Sequence, residues 1–242
     1  MIREIRTSAD NLLLVTDHHR LVGSSYLVKR LMDLVIATGL VIVLAPIMLI
    51  IALAIRYDSP GPALFIQQRV GSRRRTYNGQ IVWEIRPFNM YKFRTMRQDA
   101  DQSLHEQHIK AFVEGRLDEY HAKNGSFKLA NDQRITRVGA FLRKTSLDEL
   151  PQLFNVLRGE MSLVGPRPVP IYEAAAYETR HRERLAALPG MTGLWQVTGR
   201  SQVSFEDMVQ LDIEYVRNQS LWLDIKILAQ TAGIVISGFG GG

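Results

Sequence analysis

The pattern of apolar and polar positions along this chain is dominated by one hydrophobic run near the N-terminus. No charged residue occurs between Leu34 and Ile55, and basic residues flank the run on both sides. A helix of about 22 residues extends roughly 33 Å, enough to cross a hydrocarbon layer of about 30 Å. The pattern therefore favours a membrane helix over residues 26–57, with a buried core helix as the alternative.

Pro46 lies near the middle of this run. A proline inside a helix removes one backbone hydrogen bond and clashes with the preceding turn, so a bent or broken helix is predicted. Basic residues tend to remain on the cytosolic side of a membrane. Together these features predict a re-entrant helix-break-helix anchor, which enters the bilayer and returns to the same side.

Downstream of the run, the composition predicts a small β-hairpin. Asp58–Pro62 is rich in turn residues, and Ala63–Ile66 and Gln80–Ile85 are typical of short strands. The polar stretch Arg73–Gly79 is interpreted as a loop between them.

Helical patterns follow. Residues 97–123 are polar and helix-favouring, and Ser204 with an acid three residues later predicts a helix that ends near Asn218. Leu221–Leu228 has few charges and a tryptophan, which fits a helix at the headgroup boundary and a core helix equally well. The fold class is therefore α+β and α-rich, with an N-terminal tail over residues 1–25 and a globular domain over residues 58–242.

Composition and charge narrow the classes of function. Of 242 residues, 30 are Lys or Arg and 24 are Asp or Glu, so the net charge is +6. This balance favours an acidic partner such as nucleic acid, anionic lipid or a phosphorylated substrate. Cysteine is absent, which excludes disulfides, a thiolate nucleophile and cysteine zinc sites. The histidines lack the spacing of a zinc enzyme, and no Walker loop or GxGxxG pattern occurs.

The adjacent acids Asp148 and Glu149 permit a structural and a catalytic interpretation. Ser146–Glu149 matches a capping box, in which Ser146 and Glu149 satisfy backbone amides at a helix start. The same geometry keeps a carboxylate ionised where phosphate oxygens also bind. An ionised aspartate beside a phosphate can act as a nucleophile.

Basic residues surround this pair in the sequence, a density suited to neutralising a diphosphate. They are Arg134, Arg137, Arg143, Lys144, Arg158 and Arg167. Pro166 and Pro168 restrict the backbone on both sides of Arg167, which orients its side chain. Arg73–Arg75 and Lys92–Arg94 are candidates for contact with lipid phosphates or nucleic acid.

Several ordered blocks of sequence carry a family resemblance. They are Lys29–Asp33, Ser59–Pro62, Gln68-Arg69, Tyr91–Met96, Arg134–Gly139, Ser146–Gln152, Met161–Pro168, Pro189–Gly193 and Gln196-Val197. In these blocks the chain resembles the bacterial sugar transferases, which are monotopic phosphoglycosyl transferases that load polyprenyl phosphate with a sugar phosphate.

The resemblance implies that Asp148 attacks the β-phosphorus of a UDP-hexose and expels UMP, after which polyprenyl (undecaprenyl) phosphate takes the phosphosugar. It implies that Glu149 is the ligand of Mg²⁺ and that Lys92, Arg143 and Arg167 bind the substrate. A cytosolic catalytic domain on the bacterial inner membrane is also implied, in the first membrane step of exopolysaccharide, capsule or O-antigen synthesis.

Two other functions remain as alternatives at this stage. One is a metal-dependent nucleotide-sugar hydrolase that uses Asp148 and Glu149 only as ligands. The other is a membrane-tethered, non-catalytic protein that binds lipid. Nucleic acid is not expected as a partner, because the basic residues are dispersed and no recognition motif occurs. The sequence leaves open the identity of the sugar and the existence of a homo-oligomer.

Overall fold

The computed structural model describes residues 2–6, 12–16, 24–98, 107, 109–110, 134–198 and 204–237. The strands are β1 (Ile2–Arg6), β2 (Leu12–Thr16), β3 (Leu64–Tyr77), β4 (Gln80–Phe93), β5 (Ser162–Val164), β6 (Val169–Pro170) and β7 (Gly190–Thr192). The helices are α1 (Ser24–Asp58), α2 (Arg137–Thr145), α3 (Gln152–Arg158), α4 (Ile171–Ala175), α5 (Leu194–Thr198), α6 (Phe205–Asn218) and α7 (Leu221–Ile236). Two 3₁₀ segments occur at Leu147–Glu149 and Thr179–Leu185. The predicted mixture of helix and sheet is confirmed.

Helix α1 is apolar and mostly exposed. Residues Ser25–Asp58 contain a window with a mean hydropathy of 3.0, of which only 11% is buried, and the helix is long and apolar enough to cross a membrane. A core helix of a soluble protein would be mostly buried. The exposed apolar surface therefore indicates membrane association and disfavours the core alternative.

The predicted break at Pro46 does not interrupt α1. The helix continues from Ser24 to Asp58 with the proline inside it. A proline removes its own amide donor, but the hydrogen bonds of neighbouring turns can continue on both sides. The helix is therefore not broken at Pro46, and the bend and the re-entrant course stay predictions.

Both ends of α1 are attached to the globular domain. Near its start, Lys29 Nζ donates to Asp224 Oδ2 at 2.6 Å, and Ser162 Oγ donates to Asp33 Oδ2 at 2.8 Å. Near its end, Asp58 Oδ2 accepts at 3.1 Å from a backbone amide in the first turn of α2. The middle of the helix is exposed or half-buried.

The hairpin is larger than predicted. Strands β3 and β4 pair from Leu64–Phe93 to Tyr77–Gln80, within a sheet of order β1-β2-β4-β3-β6. The connection is only Asn78-Gly79, where both residues have positive φ, as a tight two-residue hairpin turn requires. Arg73–Arg75, interpreted as loop, lies in β3, because a strand near the edge of a sheet accommodates polar side chains.

The N-terminal residues include two strands where a tail was expected. β1 pairs with β2, and β2 pairs with β4 at Leu13–Glu84 and Leu14–Trp83. Leu13 and Leu14 are buried. The apolar residues Leu12–Val15 form a strand because β4 offers an apolar surface, with Val82 and Trp83 buried, for them to cover.

The C-terminal helices follow the sequence pattern. Ser204 Oγ accepts from the Asp207 amide and α6 ends at Asn218, so this helix is confirmed. Helix α7 has features of both a core helix and a helix at the headgroup boundary. Ile227 is buried in the core, whereas Trp222 on the same helix is 76% exposed. Most of the predicted helix over residues 97–123 lies outside the described residues.

Candidate active site

The carboxylate pair lies on a short turn between α2 and α3. Ser146 adopts a left-handed conformation, with φ 58° and ψ 15°, and the 3₁₀ segment Leu147–Glu149 follows it. Ser146 makes no side-chain capping bond, so the predicted capping box is wrong. The left-handed residue instead ends α2, as a C-cap does. The turn therefore presents Asp148 and Glu149 to partners elsewhere in the domain.

Asp148 is half-buried, and the pKa of its carboxyl is raised above the ordinary value of 3.8. Burial is the main cause of the increase; Lys92 and Arg143 lower the pKa, whereas Glu149 raises it. The expectation that a helix terminus keeps this group ionised is corrected, because α3 begins only at Gln152. The ionised carboxylate is poorly solvated, and two cations offset its charge.

Lys92 connects the hairpin to the carboxylate pair. Its Nζ lies 2.9 Å from Glu149 Oε1, and their side chains are 18% and 28% exposed. A partly buried ion pair of this kind fixes the lysine next to both acids. The structure thus brings together Lys92, Asp148, Glu149 and Arg143 from three separate segments.

Asn155 holds α3 against β4 beside this lysine. The side chain is fully buried, and its Oδ1 accepts from the Tyr91 amide at 3.0 Å. Its Nδ2 donates to the Asn89 carbonyl and to Glu160 Oε2, both at 2.7 Å. All its polar atoms are paired, so this residue fixes the spacing between Lys92 and the turn that carries the acids.

Replacing Asn155 with alanine is expected to lower the free energy of unfolding by about 3 kcal/mol, because several buried polar groups lose their partners. Chemical denaturation of the solubilised protein measures this change. The matched control is Asn218→Ala, which removes one exposed side-chain bond to the Glu214 carbonyl. An equal effect of the two substitutions would contradict the assigned role of Asn155.

Arg167 lies in the link between β5 and β6, with its guanidinium carbon 6.0 Å from the centre of the Trp195 ring. Arg69, buried on β3, donates to the Pro168 carbonyl at 3.3 Å. Burial and the positive charge of Arg167 lower the pKa of Arg69 to about 10, so Arg69 is still cationic at neutral pH. Arg69 and Arg167 therefore bring two positive charges close together on this side of the domain.

The predicted residues Lys92, Glu149 and Arg167 line one cleft. Its other walls are Arg69, Met90, Gln152, Pro168, Gly190, Met191 and Gln196. Asp148 is not part of this lining; it is the neighbour of Glu149 in the chain and interacts electrostatically with Lys92 and Arg143. The cleft is cationic, since three basic side chains and one carboxylate face it.

Sequence reasoning did not assign Arg69, Gln152 and Gln196 to the site. Each lies in one of the sequence blocks that carry the family resemblance. Membership of a block was the signal that could have indicated these residues as part of the site. Gln196 Oε1 is buried and has no hydrogen-bond partner within the described part of the chain. Buried polar atoms are normally paired, so this amide oxygen is a candidate for contact with a ligand.

The carboxylate pair fits a magnesium ion. Mg²⁺ is commonly held by one or two carboxylates together with substrate phosphates, and not by a complete cage of protein ligands. The residues that the structure describes contain no group of three or more metal-binding side chains. Glu149 is a carboxylate of the kind that this mode of binding uses, and its neighbour Asp148 remains available for chemistry.

Together, the fold and the cleft define a membrane-associated α+β protein with a carboxylate pair beside a cationic cleft. The chain belongs to the bacterial sugar transferase family, whose sequence profile matches residues 24–238.

Three relatives illustrate the similarity. The chain is 44% identical over 216 residues to the undecaprenyl-phosphate galactose phosphotransferase of Salmonella typhimurium (strain LT2), covering 88% of this chain and 41% of the relative. It is 44% identical over 214 residues to the UDP-galactose-lipid carrier transferase of Erwinia amylovora, covering 88% and 41%. It is 40% identical over 203 residues to the exopolysaccharide production protein ExoY of Rhizobium meliloti (strain 1021), covering 84% and 83%. The chain thus spans about two fifths of the length of the first two relatives.

Proposed function

We propose that this protein transfers a hexose-1-phosphate from a UDP-hexose to polyprenyl phosphate and releases UMP. The supporting observation is the Asp148–Glu149 pair beside Lys92 and Arg143, within a chain of the bacterial sugar transferase family. Relatives named for undecaprenyl-phosphate phosphotransfer and for a UDP-galactose donor support the same substrates. Galactose or glucose is the proposed hexose.

In the first step, an ionised Oδ of Asp148 attacks the β-phosphorus of the UDP-hexose. A bond forms between this oxygen and phosphorus, and the bond from phosphorus to the bridging oxygen breaks. UMP leaves with the electron pair, and the hexose phosphate remains bound to Asp148 as an acyl phosphate. Burial of the carboxylate favours this step, because a poorly solvated anion loses less hydration when it approaches the phosphorus.

The basic side chains of the cleft reduce the repulsion between this carboxylate and the diphosphate. Lys92 and Arg143 already act on Asp148, and Arg167 and Arg69 add positive charge to the cleft. Fixed cations are most effective where charge accumulates in the transition state. We assign Arg143 and Lys92 to the reacting phosphate and Arg167 to the nucleotide sugar.

Glu149 is the proposed Mg²⁺ ligand, and the bound ion would spread the charge of the diphosphate and improve UMP as a leaving group. Lys92 contacts one oxygen of this carboxylate, Oε1. That contact orients the carboxylate, and a lysine in this position also limits the repulsion between the two neighbouring acids.

In the second step, a phosphate oxygen of polyprenyl phosphate attacks the same phosphorus. The bond between phosphorus and Asp148 breaks, the carboxylate is regenerated, and the product is a polyprenyl diphosphate sugar. The acceptor reaches the site from the bilayer, so the cleft must lie close to the membrane. Attachment of both ends of α1 to one domain supports a re-entrant topology, with both ends on the cytosolic face of the inner membrane.

The pH dependence of the transfer rate tests the role of Asp148. The nucleophile must be ionised and the pKa of Asp148 in the free protein is raised, so kcat/KM is expected to fall about tenfold per pH unit below a pKa higher than 3.8. Lys92 lowers this pKa, so Lys92→Gln is expected to move the acidic limb of the profile to higher pH. The control Lys226→Gln, at an exposed position of α7, is expected to leave the acidic limb in place. A shift to lower pH in Lys92→Gln would oppose this assignment.

The experiment that tests the proposed function is UMP release. The solubilised protein is incubated with Mg²⁺, polyprenyl phosphate and each of several UDP-hexoses, with GDP- and CMP-sugars as controls. We expect sustained UMP release only with a UDP-hexose and the lipid acceptor. Sustained release without acceptor would indicate a hydrolase, and no release from any donor would support the non-catalytic alternative.

A further inference from the structure

A second cavity, of about 460 Å³, lies apart from the cleft beside Asp148. Its walls come from Tyr26 and Arg30 on α1, the middle of the β3–β4 hairpin, and the segment Arg158–Glu160 at the end of α3. None of its lining residues lines the first cleft. The two sites are therefore distinct, although the hairpin and α3 contribute to both.

The charge of this cavity is strongly positive. Five arginines line it, namely Arg30, Arg73, Arg74, Arg86 and Arg158. Among its described lining residues only Glu160 is acidic, and this carboxylate accepts a bond from Asn155. Like charges held close together repel one another, and a bound polyanion removes that repulsion. The cavity is thus suited to a ligand with more than one negative charge.

Several of these arginines are held in position before any ligand binds. The Arg74 guanidinium carbon lies 4.4 Å from the centre of the Tyr26 ring, and that of Arg158 lies 5.0 Å from the centre of the Tyr91 ring. Arg30 Nη2 donates to the Leu157 carbonyl, whereas its buried Nη1 has no hydrogen-bond partner in the described segments. Oriented donors lower the entropic cost of binding an anion.

The cavity lies at the end of α1 that precedes the uncharged run, where lipid headgroups are expected. Tyr26 and Arg30 precede the uncharged run that begins at Leu34, and they face the domain. Leu27 and Leu31 on the same turns are 68% and 62% exposed. Apolar residues that face outward beside basic residues that face a cavity are the pattern of a membrane boundary. A basic pocket at this depth favours headgroups with several phosphates.

We propose that this cavity binds the headgroup of an anionic phospholipid that carries two phosphates, of the cardiolipin type. The arginines bind the phosphates, and the acyl chains extend along the exposed apolar face of α1. A soluble diphosphate shares this chemistry, but the depth of the cavity favours the lipid. The site serves membrane attachment, and the proposal is independent of the transfer reaction.

Native mass spectrometry of the full chain in detergent micelles tests this proposal. Cardiolipin, phosphatidylcholine and inorganic pyrophosphate are titrated separately. The test variant is Arg73→Gln with Arg86→Gln, since both arginines are exposed and line the cavity. The control is Arg56→Gln with Arg180→Gln, which removes the same charge from two exposed residues outside it.

We expect the natural protein to bind cardiolipin more tightly than phosphatidylcholine, and the test variant to lose about tenfold or more in cardiolipin affinity. The control is expected to bind cardiolipin like the natural protein. Equal losses in both variants, or no loss in the test variant, would overturn the site. Tight binding of pyrophosphate with no preference for cardiolipin would overturn the lipid as its ligand.

Discussion

Replacing Asp148 with asparagine is expected to reduce kcat for sugar-phosphate transfer by at least ~10³-fold, the scale of loss when a covalent nucleophile is removed. The amide has nearly the shape of the carboxylate but cannot form the acyl phosphate. Since the pKa of Asp148 is raised by burial, a neutral side chain is tolerated there, and the variant is expected to fold. UMP release with UDP-hexose and polyprenyl phosphate measures the loss.

The matched control for this substitution is Asp207→Asn, an exposed acid in the first turn of α6. It is expected to retain nearly full activity, because the Ser204 cap of the helix remains. If Asp148→Asn kept more than a few per cent of the natural rate, Asp148 could not be the nucleophile, and a role as a metal ligand would explain the site better.

The largest expected effect on stability concerns a buried ion pair behind the cleft. Arg184 is fully buried, and its Nη2 and Nη1 lie 2.5 Å from Asp212 Oδ2 and the Tyr177 hydroxyl. The backbone of Arg167 lowers the pKa of Asp212, so the ion pair lies next to the segment that carries Arg167. Arg184→Met is expected to lower the free energy of unfolding by about 4 kcal/mol, because the buried carboxylates of Asp212 and Glu173 are left without their cation.

Chemical denaturation measures this loss, with exposed Arg180→Met as the control, for which a change below about 1 kcal/mol is expected. A double variant, Arg184→Met with Asp212→Leu, separates the cost of an unpaired charge from the loss of packing. It is expected to be more stable than Arg184→Met alone, because only one buried carboxylate, that of Glu173, is then left without this cation instead of two. A double variant less stable than the single one would contradict this explanation.

The sequence predicted the elements that depend on local pattern. The uncharged run predicted α1, because length and composition alone define such a helix. Ser204 predicted the start of α6, because a helix cap is a contact between residues close in the sequence. The acidic pair and Arg167 were selected for their chemistry. The structure places Asp148 near Lys92 and Arg143, and Arg167 in the cleft that Lys92 and Glu149 line. Their roles stay predictions until the variants are assayed.

The errors arose where distant contacts decide the structure. Leu12–Val15 was assigned to a tail because its partners, Val82 and Trp83, are far along the chain. Ser146 matched a capping box, but its left-handed conformation ends the preceding helix instead. The Arg184–Asp212 ion pair was not predicted, because the two residues are far apart in the sequence and no short motif connects them.

The most direct test of this account is the mass of the protein after incubation with UDP-hexose in the absence of lipid acceptor. The reaction is quenched, the chain is cleaved, and the peptide that contains Asp148 is weighed and fragmented. The account predicts an added hexose phosphate on Asp148 that disappears when polyprenyl phosphate is supplied, and no adduct in Asp148→Asn. An unmodified Asp148 peptide in a preparation that actively releases UMP would contradict the covalent mechanism.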